Sequence, residues 1–165
     1  MKNLYIDFDG VIMDTISVTY DMLDRLEVDR KDPDKMKEFF SNLNWKQLLT
    51  LTPIINDAFN CLKKIFASNK FNVAILTHVN SLDEAVAKIN YIRKYFKDVT
   101  IIPVPREISK TKICLSEDAI LIDDYSGNLK EWASEGGIGI QFSRDLTKDK
   151  GFPVIDKLDK VIDMF

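Results

Sequence analysis

The chain has 165 residues, of which 45% are hydrophobic and 30% charged. That length suits one domain with at most a small insert, and the composition supports a packed core while excluding disorder and collagen-like repeats. The balance of 23 Lys+Arg against 26 Asp+Glu leaves a net charge of −3, which lacks the basic excess a duplex-binding protein sets against phosphates.

Residues 4–8 form a short apolar run ending in acid and Gly, the pattern of a buried strand. A long helical stretch follows over 17–68. Its apolar residues recur at three and four, as in Tyr20, Leu23 and Leu26, then Ile55, Phe59, Leu62 and Phe66. Asp32-Pro33-Asp34 reads as a helix start inside it. Residues 73–76 predict a second strand. Residues 81–95 predict a helix opened by the capping box Ser81-x-x-Glu84. A third strand spans 99–102 and is closed by Pro103 and Pro105. A fourth spans 119–122 and ends in Asp123-Asp124. A helix over 126–134 stops at Gly136-Gly137, a fifth strand covers 138–142, and apolar spacing over 154–165 predicts a last helix.

Strands alternating with helices indicate an α/β protein with a parallel sheet covered on both faces. The stretch between the first two strands is too long for a crossover and reads as a small helical insert. Cys61 and Cys114 lie far apart without CxxC spacing, so reduced thiols are expected rather than a disulfide framework or zinc site. No apolar run approaches the ~20 residues of a membrane span. The N-terminus reaches Asp7 too soon for a signal peptide, and a cytoplasmic protein is the expectation.

In open α/β sheets, ligands sit beyond the carboxyl ends of the strands. Strand one ends in Asp7-Phe8-Asp9-Gly10-Val11, strand two in Thr77-His78 and strand four in Asp123-Asp124, with Ser109-Lys110-Thr111-Lys112 between strands three and four. Four such carboxylates would repel one another if bare. A hard divalent cation such as Mg²⁺ resolves that repulsion. A lysine and a hydroxyl beside it make a receptacle for a phosphate dianion, and an aspartate in that setting can act as a nucleophile.

These four segments resemble the motifs of the haloacid dehalogenase-like (HAD) superfamily of phosphohydrolases. Asp7-Phe8-Asp9-Gly10-Val11 with Asp14-Thr15 is similar to the first motif, Leu76-Thr77 to the second, Lys110 to the third, and Leu121-Ile122-Asp123-Asp124 to the fourth. The resemblance implies a Rossmann-like three-layer core, strand order 3-2-1-4-5, over residues 1–15 and 70–165, with residues 16–69 as a helical cap after strand one. It implies Asp7 as the nucleophile and Asp9 as the general acid and base. Thr77 and Lys110 would bind phosphate, with Lys112 as the rival lysine. His78 beside them would be structural or touch substrate. Asp7, the Asp9 carbonyl, Asp123 and Asp124 would hold Mg²⁺; the pattern favours direct contact by Asp123, with Asp124 bound through water.

Ile122-Asp123-Asp124-Tyr125 with Asn128, Trp132 and the Gly136-Gly137 turn is similar, more loosely, to the 5′-nucleotidase/deoxyribonucleotidase group. This implies a Mg²⁺-dependent phosphomonoesterase acting on a small phosphorylated metabolite, a nucleoside monophosphate above all, as a monomer or homodimer. Phe39, Phe40 and Trp45 in the insert could stack on a base, although aromatics at helical spacing are more often core. Asn128 and Trp132 are expected to support the metal loop and the core, and Asp14 to fix the entry to the insert. The motifs handle the phosphoryl group alone, so a sugar-phosphate phosphatase or phosphomutase fits them equally. A receiver-type phospho-accepting module shares the acids, the metal and the lysine. It carries its acidic pair after the first strand, though, whereas here the pair follows the fourth.

Overall fold

The first strand, β1 (Lys2–Ile6), pairs in parallel with β2 (Phe71–Val79) on one side and β4 (Ile120–Asp123) on the other. The computed structural model describes all 165 residues. Beyond β2 lies β3 (Thr100–Pro105), and beyond β4 lie β5 (Ile138–Phe142) and β6 (Val154–Ile155). The six strands run in the order β3-β2-β1-β4-β5-β6, all parallel. The direction of winding reverses between β1 and β4, which opens a crevice at their carboxyl ends.

Most strands follow the expected apolar runs, and the departures have physical causes. Pro103 lies inside β3 and Pro105 is its last residue, so the strand runs past the first proline and closes only at the second. On this edge strand Arg106 N–H donates inward to Val79 O at 3.0 Å. The alternate positions 103 and 105 therefore face the open edge, where a missing N–H costs no ladder bond. The helix expected over 154–165 is instead β6 followed by a 3₁₀ helix, Leu158–Asp163. Ile155, Leu158 and Val161 are buried at a spacing of three, which matches the 3₁₀ period rather than the α period.

The stretch between β1 and β2 folds as four helices: α1 (Thr15–Arg25), α2 (Pro33–Asn42), α3 (Trp45–Leu51) and α4 (Ala58–Ser68). Asp32 caps α2 by accepting from the N–H groups of Asp34 (3.1 Å) and Lys35 (3.2 Å), with Pro33 at the first turn. α2 buries no residue. α4, by contrast, buries Ala58, Cys61, Leu62 and Ile65 against β2 and the terminal 3₁₀ helix. α3 packs on α5 (Leu82–Arg93). One apolar core therefore runs without a break from Leu4 and Ile6 through Trp45, Leu49, Ile55 and Leu62. A smaller core under α6 (Ser126–Ser134) centres on Leu121, Leu129 and Trp132. No helix is long and apolar enough to cross a membrane.

Candidate active site

Asp7 is the first residue past β1, and its N–H still donates to Ile122 O at 2.9 Å, which ties it to the end of β4. The chain then turns sharply. Phe8 O accepts from Ile12 N (3.0 Å) and Met13 N (3.1 Å), while Gly10 N donates to Met13 O (2.8 Å). Gly10 has φ +74°, and a Cβ there would approach the Asp124 carboxyl carbon to 2.8 Å. Glycine is thus required twice, for backbone conformation and for the space beside Asp124. The turn brings Asp9 back over the strand ends.

Asp123 closes β4 and is fully buried. Its Oδ1 accepts from Tyr125 N (2.9 Å), and its Oδ2 accepts from Asn128 Nδ2 (2.9 Å) and Lys110 Nζ (2.7 Å). Lys110 begins a 3₁₀ turn, Lys110–Lys112, that Ser109 caps. It also donates to Asp7 Oδ1 at 2.8 Å, so one ammonium bridges the ends of β1 and β4. Lys110, not Lys112, occupies this place. Burial opposes its charge, but Asp7 and Asp123 outweigh burial and its pKa is raised.

Asp7, Asp123 and Asp124 each present an oxygen within 4.8 Å of the others. Burial, then repulsion from Asp123 and Asp9, pushes Asp7 up to about 7 despite Lys110. Burial and the neighbouring carboxylates push Asp124 up to about 8. These oxygens form a hard donor set on which one ammonium leaves negative charge uncompensated, the chemistry that suits a small divalent cation.

Asp9 is held separately. Its Oδ1 accepts from Thr15 Oγ (2.6 Å) and its Oδ2 from Lys88 Nζ (2.6 Å). Lys88 lies on α5 and is 1% exposed. It also donates to Thr77 Oγ (3.1 Å) and His78 O (3.1 Å), and it pairs with Glu84 Oε1 at 2.9 Å. Glu84, expected to close a capping box on Ser81, turns inward to Lys88 and to the N–H of Asn80. The cap itself remains, with Ser81 accepting from Glu84 N at 3.1 Å.

Thr77 is fully buried at the end of β2. His78 faces the cavity, with Nε2 2.9 Å from Ile108 O. Burial is the main influence on its imidazole and lowers its pKa. Asp7, Asp9, His78, Asp123 and Asp124 open on one cavity of about 730 Å³, whose outer wall includes Tyr20, Arg106, Tyr125 and Glu131.

Phe39, Phe40 and Trp45 do not line that cavity. Phe39 faces a groove between α1 and α2, and Trp45 is buried in the main core. Phe40 stacks on Trp45 at 6.5 Å. Asn128 supports Asp123, and Trp132 donates to Ala119 O at 3.0 Å inside the smaller core. Asp14 pairs with Arg144 at 3.2 Å, beside the entry to α1. Lys88, Thr15, Tyr20 and Tyr125 were not singled out from sequence as site residues. Lys88 had a readable signal, since residues 85, 88 and 92 fall on one helix face and a lysine among them occupies a core position.

No family model matches the sequence, and no curated protein is similar to it in sequence. Solved structures share its architecture at low identity. A HAD-superfamily hydrolase of subfamily IA from Geobacter sulfurreducens is 11% identical, with 100% of both chains covered and a TM-score of 0.65. A magnesium-bound HAD-hydrolase from Bacillus subtilis is 12% identical over 99% of this chain and 97% of its own, with a TM-score of 0.62. A D,D-heptose 1,7-bisphosphate phosphatase from B. bronchiseptica, complexed with magnesium and phosphate, is 12% identical over 99% and 97%, with a TM-score of 0.59. The chain has the Rossmann-like α/β fold of the HAD-superfamily hydrolases.

Proposed function

We propose that this chain is a Mg²⁺-dependent phosphomonoesterase that works through an aspartyl-phosphate on Asp7, with a nucleoside 5′-monophosphate as its substrate class. The observation that carries this reading is the Lys110 bridge between Asp7 and Asp123, set beside the three-carboxylate cluster that lines the cavity. Lys110 engages Oδ1 of Asp7, and no hydrogen bond ties Oδ2. That second oxygen is the one free to attack phosphorus.

In the first step the Asp7 carboxylate oxygen bonds to phosphorus as the ester P–O bond breaks, and Asp9 gives its proton to the departing oxygen. In the second, Asp9 takes a proton from a water whose oxygen attacks the same phosphorus. The Asp7–phosphate bond breaks, releasing inorganic phosphate and the free carboxylate. Lys110 offsets the repulsion between an anionic nucleophile and an anionic ester. Asp7, the Asp9 carbonyl, Asp123 and Asp124 would hold Mg²⁺, which supplies charge neutralisation when bound. Phosphoryl transfer is governed by such positioning and charge, so the chain needs no further reactive group.

Tyr20 and Tyr125 support a base-bearing substrate. Both line the cavity and both are exposed, at 40% and 65%, so each offers a ring face for stacking. In this reading the helices of residues 16–69 form the cap that selects substrate. Phosphate release measured on a panel of nucleotides and sugar phosphates, with Mg²⁺ or with chelator, tests the proposal. Nucleoside monophosphates turned over only with Mg²⁺ are the expected result. Turnover that survives full chelation contradicts the mechanism. A decisive preference for sugar phosphates contradicts the nucleotide assignment alone.

A further inference from the structure

Lys88 is a second buried lysine at this site, and the chemistry above leaves it without a task. Its ammonium has four acceptors within 3.1 Å: Asp9 Oδ2, Glu84 Oε1, Thr77 Oγ and His78 O. It sits 5.3 Å from the centre of the Phe8 ring and 5.0 Å from that of Trp45. Three protons facing four acceptors between two rings leave the cation no freedom to reorient and no route to water. Burying an ammonium with the Glu84 carboxylate and a half-buried Asp9 is costly, and well-packed apolar residues in place of the whole ion pair would often serve stability as well.

The arrangement accounts for itself at Asp9. Lys88 holds one carboxyl oxygen and Thr15 the other, so rotation of the carboxyl group is blocked and its edge is fixed toward the cavity. Glu84, itself 1% exposed, is the second carboxylate on Lys88 and anchors the lysine to the same helix face. Thr77 is affected too. Its hydroxyl accepts from Lys88 and has His78 O at 3.3 Å and Asp9 Oδ2 at 3.5 Å as acceptors for its proton, which ties Thr77 into the same network.

We propose that Lys88 is a positioning residue for proton transfer by Asp9, holding the carboxyl group in line with the leaving oxygen of the substrate. The inference rests on the phosphomonoesterase reading. It predicts a defect that depends on how much the leaving group needs a proton. General acid catalysis contributes about 10²–10⁴-fold where the leaving group is a poor one, and little where it departs readily as an anion.

The test compares kcat/KM of the full chain with Mg²⁺ on p-nitrophenyl phosphate and on an alkyl phosphate, for wild type, Lys88→Met and Glu84→Gln. kcat/KM reports the step in which the leaving group departs. Lys88→Met is expected to lose about 100-fold on the alkyl ester and only a few-fold on the aryl ester, while retaining a Mg²⁺-induced rise in melting temperature. Glu84→Gln, which keeps the shape and loosens the anchor, is expected to show the same bias more weakly and carries the test if Lys88→Met does not fold. Equal losses on both esters, or no loss on either, overturn the inference and leave the phosphomonoesterase reading standing. A wild-type chain that hydrolyses neither ester nor any nucleoside 5′-monophosphate overturns both.

Discussion

Two lysines divide the site into halves that look alike and differ in kind. Lys110 joins Asp7 to Asp123 at the ends of two adjacent strands, with the Asp124 carboxylate close by. Lys88 joins Asp9 to Glu84 and Thr77 from within a helix, with Thr15 completing the hold on Asp9. In the Lys110 half the anions outnumber the cation and Asp7 and Asp124 are pushed up toward neutrality. In the Lys88 half two carboxylates share one ammonium, but every carboxylate oxygen is held, with Thr15 donating to the second oxygen of Asp9 and Asn80 to the second of Glu84. The first is therefore built to receive more positive charge, and the second to stay fixed.

The largest effect that tests this division is at the nucleophile. Asp7→Asn should lower turnover on any substrate by on the order of 10⁴-fold or more, measured as phosphate release, with the fold retained by circular dichroism. Next come the two lysines. Removing one partner from a buried ion pair costs about 3–5 kcal/mol, so Lys110→Met and Lys88→Met should each lower the melting temperature by about 10 °C. Magnesium should separate them, narrowing the gap to wild type in Lys110→Met and raising Lys88→Met only as much as it raises wild type. Equal narrowing in both would erase the distinction between the halves.

A smaller effect is expected at the turn between them. Gly10→Ala places a Cβ against the Asp124 carboxylate at φ +74°, which costs about 1–2 kcal/mol in backbone strain alone. It should also weaken Mg²⁺ binding as read by calorimetry, without altering Lys88. The smallest effect belongs to His78. Burial lowers its pKa, so as pH falls through about 6.5 the unfolded chain takes up the proton before the folded one. The folded state loses stability below that pH, and His78→Gln should flatten the decline by about 2 °C or less in melting temperature.

The placement of the strand-end residues is legible because it obeys short-range rules. An apolar run ending in Asp7-Phe8-Asp9-Gly10 dictates a buried strand followed by a sharp turn, and the order of the later segments places Lys110 and Asp123 beside it. The terminal segment misled because residues 154, 155, 158, 161, 162 and 165 satisfy an α-helical stripe as well as a 3₁₀ one. Pairing of Val154 and Ile155 with β5 decides between them, and that is a tertiary event.

The insert aromatics were harder for a similar reason. Trp45 is at the start of α3 and turns into the core, and nothing local to 39–45 distinguishes that from facing a ligand. The spacing of Glu84 to Ser81 predicts half of a capping box. The preference of Glu84 for Lys88 becomes visible only when the helix face is set against β2. The Lys88 network is thus written in the sequence as one charged residue on an apolar stripe, a weak mark for a buried and fully paired cation.

The measurement closest to the central claim is acid quenching of the wild-type chain during turnover of a phosphate-labelled ester with Mg²⁺, followed by mapping of the labelled peptide. Label on the peptide that carries Asp7, absent in Asp7→Asn and absent with chelator, is the expected result. Turnover with no label on that peptide, or label that persists in Asp7→Asn, would contradict it.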